Sequence, residues 1–182
     1  DLVYHYNQLP PFATRHYDIG RRVAIVGVGN VAVDISRWLV RMRQVDEVVV
    51  VARRGPAEVK FDKSEMESVI ANLDAAALDA ELARTAPVMQ AAGQDPAAAR
   101  EFILSALPKA YEQVSATRLR LDFLAAPARI VGENGRVTGL EVNETSLVAV
   151  EGGVEAHPTG RTRVIPCDTV VFAVGDSVDP AF

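Results

Sequence analysis

Cysteine is almost missing from this 182-residue chain, where Cys167 stands alone. A single thiol closes no internal disulfide, and without a second one there is no C-x-x-C redox pair, so Cys167 is expected to be a small buried packing residue. His5, His16 and His157 are scattered through the chain, which leaves no metal-ligand spacing; they are expected to be surface or packing residues, with no metal site. No apolar run approaches the ~20 residues that a membrane span needs, and the N-terminus lacks the basic-then-apolar layout of a secretory signal. The expectation is a cytoplasmic protein without membrane contact, although a chain that begins at Asp1 leaves a preceding segment open. An excess of positive charge is also lacking. Lys and Arg number 19 against 24 Asp and Glu, a formal net charge of −5, which argues against nucleic acid as a partner. Repeats and low-complexity segments are absent too. What is present, 49% hydrophobic and 24% charged residues, is the mix of a globular protein large enough to bury a core.

Patterning along the chain indicates an α/β fold. Residues 1–19, with Pro10-Pro11 and several aromatics, show no period and read as an interdomain arm. Val23–Gly27 is a short β-branched run, a buried strand. From Asn30 to about Arg43, Val31, Ile35, Leu39 and Met42 recur at helical spacing. Glu47–Ala52 is a second buried strand, so strand, glycine turn, helix and strand form a right-handed βαβ unit. Residues 62–114 are alanine-rich and are expected to be an inserted helical stretch. Its helices are placed at Asp62–Asn72, Asp74–Ala92 and from Pro96, with Asp95 before the last as a cap. Strands follow at Arg118–Leu124, Arg129–Val131, Val137–Val142 and Ser146–Val150, with Asn134-Gly135 as a two-residue hairpin turn. Gly152-Gly153 and Pro158-Thr159-Gly160 read as further turns. Thr169–Val174 is a last apolar strand, ended by Gly175-Asp176. The fold expected is Rossmann-like: a parallel sheet, an antiparallel hairpin segment and the helical insertion, with residues 20–182 as one dinucleotide-binding domain.

Two motifs carry chemistry. Gly27-Val28-Gly29-Asn30-Val31-Ala32 matches G-x-G-x-x-[GA] in the required place, after a strand and opening a helix. The first glycine allows the tight turn, the second leaves room for a pyrophosphate, and the small sixth residue lets helix and strand approach. Helix-terminal N–H groups and the helix dipole then meet the phosphates. The second strand should end beside the adenosine ribose, where an acid would bind the 2′-OH of NAD. Here Arg53-Arg54-Gly55-Pro56 stands instead, and two guanidiniums suit the 2′-phosphate of NADP(H). An FAD ligand, whose ribose usually pairs with an acid, is disfavoured by the same residues. Asp34, four residues past Asn30 on the same helix face, is open to two readings: a proton-handling group, or a first-turn acid facing the dipole.

Gly27–Arg37 (G-V-G-N-V-A-V-D-I-S-R) resembles the G-x-G-N-V-A-x-D-x-A-R stretch of adrenodoxin reductase-like ferredoxin–NADP reductases and the related glutamate synthase small subunits. Arg53–Pro56 resembles their R-R-G-P, Phe61 and Glu65 their F-T-x-x-E-L, and Val3–Pro10 their V-x-W-Y-N-G-x-P arm. Phe123–Leu140 and Pro166–Gly175 are similar to the family's second half. The resemblance implies an NADP(H) domain inserted in a larger FAD-containing protein, in which hydride passes from NADPH to the flavin and electrons go on to a ferredoxin or another iron–sulfur partner. By position it implies that Gly27, Gly29, Asn30 and Val31 face the pyrophosphate, that Arg53 and Arg54 face the 2′-phosphate, and that Glu65 lies near the nucleotide. No catalytic residue is expected within these residues themselves. The sequence departs from the pattern at His5, Gln8 and Ser68, the last at a place that is often acidic in the ferredoxin reductases. The competing reading is a non-catalytic NADP(H)-sensing Rossmann module. A thioredoxin-reductase-like enzyme is weakened by the missing C-x-x-C, and a short-chain dehydrogenase by the missing Tyr-x-x-x-Lys.

Overall fold

The computed structural model describes residues 1–174; the expected strand stop at Gly175-Asp176 lies outside them. In chain order the main elements are α1 (Leu2–Tyr6), β1 (Arg22–Val26), α2 (Asn30–Trp38), β2 (Glu47–Val51), α3 (Lys63–Met66), α4 (Ala75–Ala91) and α5 (Pro96–Leu104). Then come β3 (Arg118–Asp122), β4 (Ala125–Glu133), β5 (Arg136–Val150), β6 (Gly153–Pro166) and β7 (Thr169–Phe172). Four strands form a parallel sheet in the order β3-β2-β1-β7, and three form an antiparallel sheet in the order β4-β5-β6.

The apolar runs of β1 and β2 are buried on both faces, and their two-residue alternation divides the core. Val23, Ile25, Val48 and Val50 face α2 and the helical stretch, meeting Ile35, Leu39, Met66, Leu78 and Ile103. Ala24, Val26, Val49 and Val51 face the antiparallel sheet, meeting Ala125, Leu140, Val142, Ile165 and Cys167. The protein is thus layered as helices, parallel sheet and antiparallel sheet. Each fully buried Val, Leu or Ile contributes about 1.5–3 kcal/mol relative to exposure, so both faces of the central strands are needed. Cys167 is fully buried, and desolvation pushes its thiol up to about 11.

Several local expectations need correction. Within the residues read as an arm, which show no period, Leu2–Tyr6 is helical, and Leu2, Val3, Tyr6 and Ile19 pack onto the core. Tyr6 stacks on Trp38 at 5.3 Å between ring centroids. The helix expected at Asp62–Asn72 stops after Met66 and resumes as a 3-10 turn at Ile70–Asn72. The buried Ser68 hydroxyl donates to Glu65 O at 2.7 Å and its N–H donates to the same carbonyl, which diverts the helical ladder. Val137–Val142 and Ser146–Val150 are one long strand with an irregularity between Asn143 and Thr145, and the short Arg129–Val131 strand extends over all of β4. Pro158-Thr159-Gly160 is not a turn. It lies inside β6, where the residues between Pro158 and Thr162 bulge opposite Glu144, with Gly160 at φ +82. An edge strand accepts this proline, since no ladder hydrogen bond is lost on its open side. The Asn134-Gly135 turn is as expected, both residues having positive φ (51 and 76). Asp74 and Asp95 cap α4 and α5 by accepting from Ala77 N and Ala97 N.

Candidate nucleotide site

The glycine turn and the arginine pair leave neighbouring strands at the same edge of the sheet. Val26 at the end of β1 is in register with Val51 at the end of β2, and Gly27 N donates to Val51 O at 2.9 Å. The two motif glycines meet different demands. Gly27 has φ +124, and a Cβ placed on it would lie 2.3 Å from Ala173 O, against the chain leaving β7. Gly29 is extended (φ −106, ψ −174) and caps α2; a Cβ there would meet only Lys60 O, at 4.0 Å. Open space over Gly29 is what a phosphate approaching the backbone requires. Ala32 and Val33 both donate to Gly29 O, and Ala32 is fully buried where α2 packs on β1. Val31, one residue into the helix, is 47% exposed at the mouth of the turn.

Asn30 is engaged differently from what position alone implies. Its side-chain amide donates to Asp62 Oδ2 at 2.7 Å, and its Oδ1 accepts from Asp62 N at 2.7 Å. Lys60 N donates to Val28 O at 3.0 Å, and Gly29 pairs with Lys60 in a parallel bridge. The glycine turn is therefore latched to residues 60–62, which follow the arginine loop. Asp62 also opens α3, the turn of helix that carries Glu65. Glu65 is half-buried, and its carboxylate accepts no hydrogen bond among the described residues.

Arg53 is exposed and Arg54 half-buried. Arg21, Arg37, Arg84, Arg118, Arg129 and Arg163 are held in ion pairs, whereas Arg53 and Arg54 have none among the described residues. Arg54 Nε is buried without a hydrogen-bond partner. An orphaned buried guanidinium nitrogen is costly, and an anion would supply what it lacks. The main chain of the pair is fixed, by contrast: Arg53 O accepts from Thr145 Oγ1 at 2.7 Å and Arg54 O from Leu124 N at 3.1 Å. A crevice of about 360 Å³ lies beyond Pro56, walled by the first turn of α5 and by Phe102.

Asp34 stands beyond the first turn of α2 and is not the first-turn acid of the dipole reading. Tyr6 OH donates to its carboxylate, and Arg37 pairs with it from the next turn, so it ties the arm to α2. Burial, and then Asp34 itself, pushes the Tyr6 hydroxyl upward. The histidines take up local contacts: His5 with Phe12 O, His16 with Asp18 and His157 with Glu155. Sequence reasoning missed Thr145, Leu124 and the Asn30–Asp62 latch. Asp62, three residues before Glu65, had a helix-start signal; Thr145, 92 residues from Arg53, had none.

The parallel sheet, glycine turn and helix N-terminus define a Rossmann-type dinucleotide-binding fold. No family model matches the chain. It is 28% identical over 198 residues to NADPH-ferredoxin reductase FprA of Mycobacterium leprae, covering 96% of this chain and 43% of that protein. It is 25% identical over 211 residues to bovine mitochondrial NADPH:adrenodoxin oxidoreductase, covering 93% and 41%. The structure of Mycobacterium tuberculosis FprA in complex with NADPH superposes with a TM-score of 0.70 at 26% identity, covering 98% of this chain and 44% of that one. The adrenodoxin reductase-like family that the motifs resemble therefore fits along nearly the whole chain, which spans less than half the length of these relatives. Among the described residues, no helix is long and apolar enough to cross a membrane.

Proposed function

We propose that this chain is the NADP(H)-binding portion of a flavin-dependent oxidoreductase, in which hydride from the nicotinamide reduces FAD held outside these residues and electrons pass to a ferredoxin-type iron–sulfur protein. The observation that carries the reading is the pair Arg53-Arg54. Among the described residues it has no counter-ion and has one buried nitrogen unsatisfied, and it stands beside the glycine turn where an NAD-binding fold would place an acid. Gly27, Gly29, Asn30 and Val31 form the pyrophosphate end. Gly27 closes the turn, Gly29 leaves the space, Asn30 locks the loop through Asp62, and the start of α2 presents its dipole. Arg53 and Arg54 hold the 2′-phosphate, and Glu65, on the helix that the latch fixes, completes the wall. The relatives' names support a ferredoxin-type acceptor; a glutamate-synthase-type acceptor rests on sequence resemblance alone. The compartment proposed is the cytoplasm.

Arginine substitutions test the reading. Arg53→Ala and Arg54→Ala should each weaken NADP(H) by about 1.5–3 kcal/mol, roughly 10- to 150-fold, because each removes a charge-assisted contact. NAD(H), without that phosphate, should change little. Equal losses for both nucleotides would remove the assignment.

A further inference from the structure

The side chains of Arg53 and Arg54 are long, and a forked guanidinium recognises a phosphate only when its backbone is held in one orientation. Here the holding comes from outside the strand that carries them. Thr145 Oγ1 donates to Arg53 O at 2.7 Å, Leu124 N donates to Arg54 O at 3.1 Å, and Thr145 N donates to Leu124 O at 3.0 Å. Both carbonyls of the arginine dipeptide are thus bound by two residues that are also bound to each other. Ala52, just before the pair, is stitched to the same corner: its N–H donates to Asp122 O and its carbonyl accepts from Ala125 N.

Two features show that this corner is built to that geometry. Thr145 sits at the irregularity of β5 that follows Asn143, where the strand departs from regular pairing; it is 5% exposed. Leu124 is 2% exposed and has φ +51, a left-handed conformation that branched side chains rarely adopt. In that conformation it donates to Arg54 and accepts from Thr145 at once. Valine in place of Thr145 would keep the volume and leave Arg53 O without its hydroxyl donor.

We propose that Thr145 is a positioning residue of the nucleotide site, which with the left-handed Leu124 fixes the Arg53-Arg54 main chain and thereby sets the preference for a 2′-phosphorylated nucleotide. This rests on the reading of Arg53 and Arg54 as the 2′-phosphate ligands. The antiparallel sheet, which forms no part of the glycine turn, then acts on specificity through one hydroxyl.

Calorimetric titrations with NADP⁺ and NAD⁺, paired with thermal melts, test it in the unmutated protein and in Thr145→Val, Thr145→Ser and Arg53→Ala. Thr145→Val should weaken NADP⁺ by about 3- to 10-fold, the range of a single hydrogen bond, and leave NAD⁺ within about 2-fold. Thr145→Ser, which restores the hydroxyl, should recover most of the loss. A purely structural threonine would lower the melting temperature and leave the NADP⁺/NAD⁺ ratio at its unmutated value. That result, alongside an Arg53→Ala variant that has lost its preference, overturns the proposal. An Arg53→Ala variant that keeps the preference instead overturns the reading on which the proposal rests. Should Thr145→Val not fold, amide exchange in the unmutated protein decides: the Leu124 and Thr145 amides should exchange more slowly with saturating NADP⁺ than with saturating NAD⁺, and equal protection refutes it.

Discussion

Replacing either motif glycine by alanine adds the same methyl group to the same turn, with opposite expected consequences. At Gly27 the backbone is at φ +124, where an L side chain costs about 1–3 kcal/mol. The new Cβ would also stand 2.3 Å from Ala173 O and 2.8 Å from Ala173 C. Those are backbone atoms that cannot rotate away. Ala173 N donates to Val26 O at 2.7 Å, so relieving the clash parts β7 from β1, at a further ~1–3 kcal/mol typical of overpacking. With roughly 2–4 °C of melting temperature per kcal/mol for a domain of this size, Gly27→Ala should melt on the order of 10 °C lower. Gly29 is extended and has 4.0 Å of clearance, so Gly29→Ala should melt within a few degrees of the unmutated protein, roughly the effect of 1 kcal/mol. Its methyl enters the space assigned to the pyrophosphate, and NADP⁺ and NAD⁺ should both bind at least about 10-fold more weakly. Melting curves with matched titrations read both quantities. A Gly27→Ala protein as stable as its parent, or a Gly29→Ala protein with undiminished affinity, would refute the division of roles.

Three further outcomes follow from the same geometry. Asn30→Ala breaks the reciprocal contact with Asp62, and binding of both nucleotides should fall together, with about 1–2 kcal/mol of stability lost; an unchanged affinity would show the latch to be idle. Asp122, 7% exposed, takes both forks of Arg163, and Asp122→Ala leaves that half-buried guanidinium with only the longer contact to Glu144, at 3.6 Å. About 2–4 kcal/mol should be lost in denaturant unfolding, less than for a fully buried pair because Arg163 keeps some solvent, and a loss under 1 kcal/mol would contradict this. Cys167, with its thiol pushed up to about 11 by burial, should resist thiol reagents at pH 8 while folded. Because the folded state holds that proton more tightly, the thiol's contribution to stability should be full below about pH 9 and decline as pH rises toward 11; rapid labelling of the native protein would count against it.

What was legible in the sequence was what local pattern controls. The β-branched runs of β1 and β2, the helix start at Asn30, the cap Asp95 and the Asn134-Gly135 turn formed as their residues dictate, although the helical pattern runs as a π-helix from Leu39 to Arg43 and leaves Val31 and Met42 exposed. The places that departed are those where a distant element decides. Leu2–Tyr6 has no period of its own and becomes helical where Tyr6 meets Trp38 and Asp34. Residues 67–69 leave the helix because Ser68 and Val69 are drawn into the core. Pro158-Thr159-Gly160 carries strong turn chemistry, yet the long ribbon absorbs it as a bulge opposite Glu144. In the site the same division holds. The glycines and arginines stand in recognisable motifs; Asp62, 32 residues from Asn30, shows only a helix-start signal, and Thr145, 92 residues from Arg53, leaves no mark in spacing.

The central claim is that Arg53 and Arg54 are poised for a 2′-phosphate, and the most direct measurement is a pair of calorimetric titrations of the unmutated protein with NADP⁺ and NAD⁺ under identical buffer and salt. Two charge-assisted contacts of about 1.5–3 kcal/mol each predict a preference for NADP⁺ on the order of 100-fold or more. Equal affinities, or tighter binding of NAD⁺, would contradict the account.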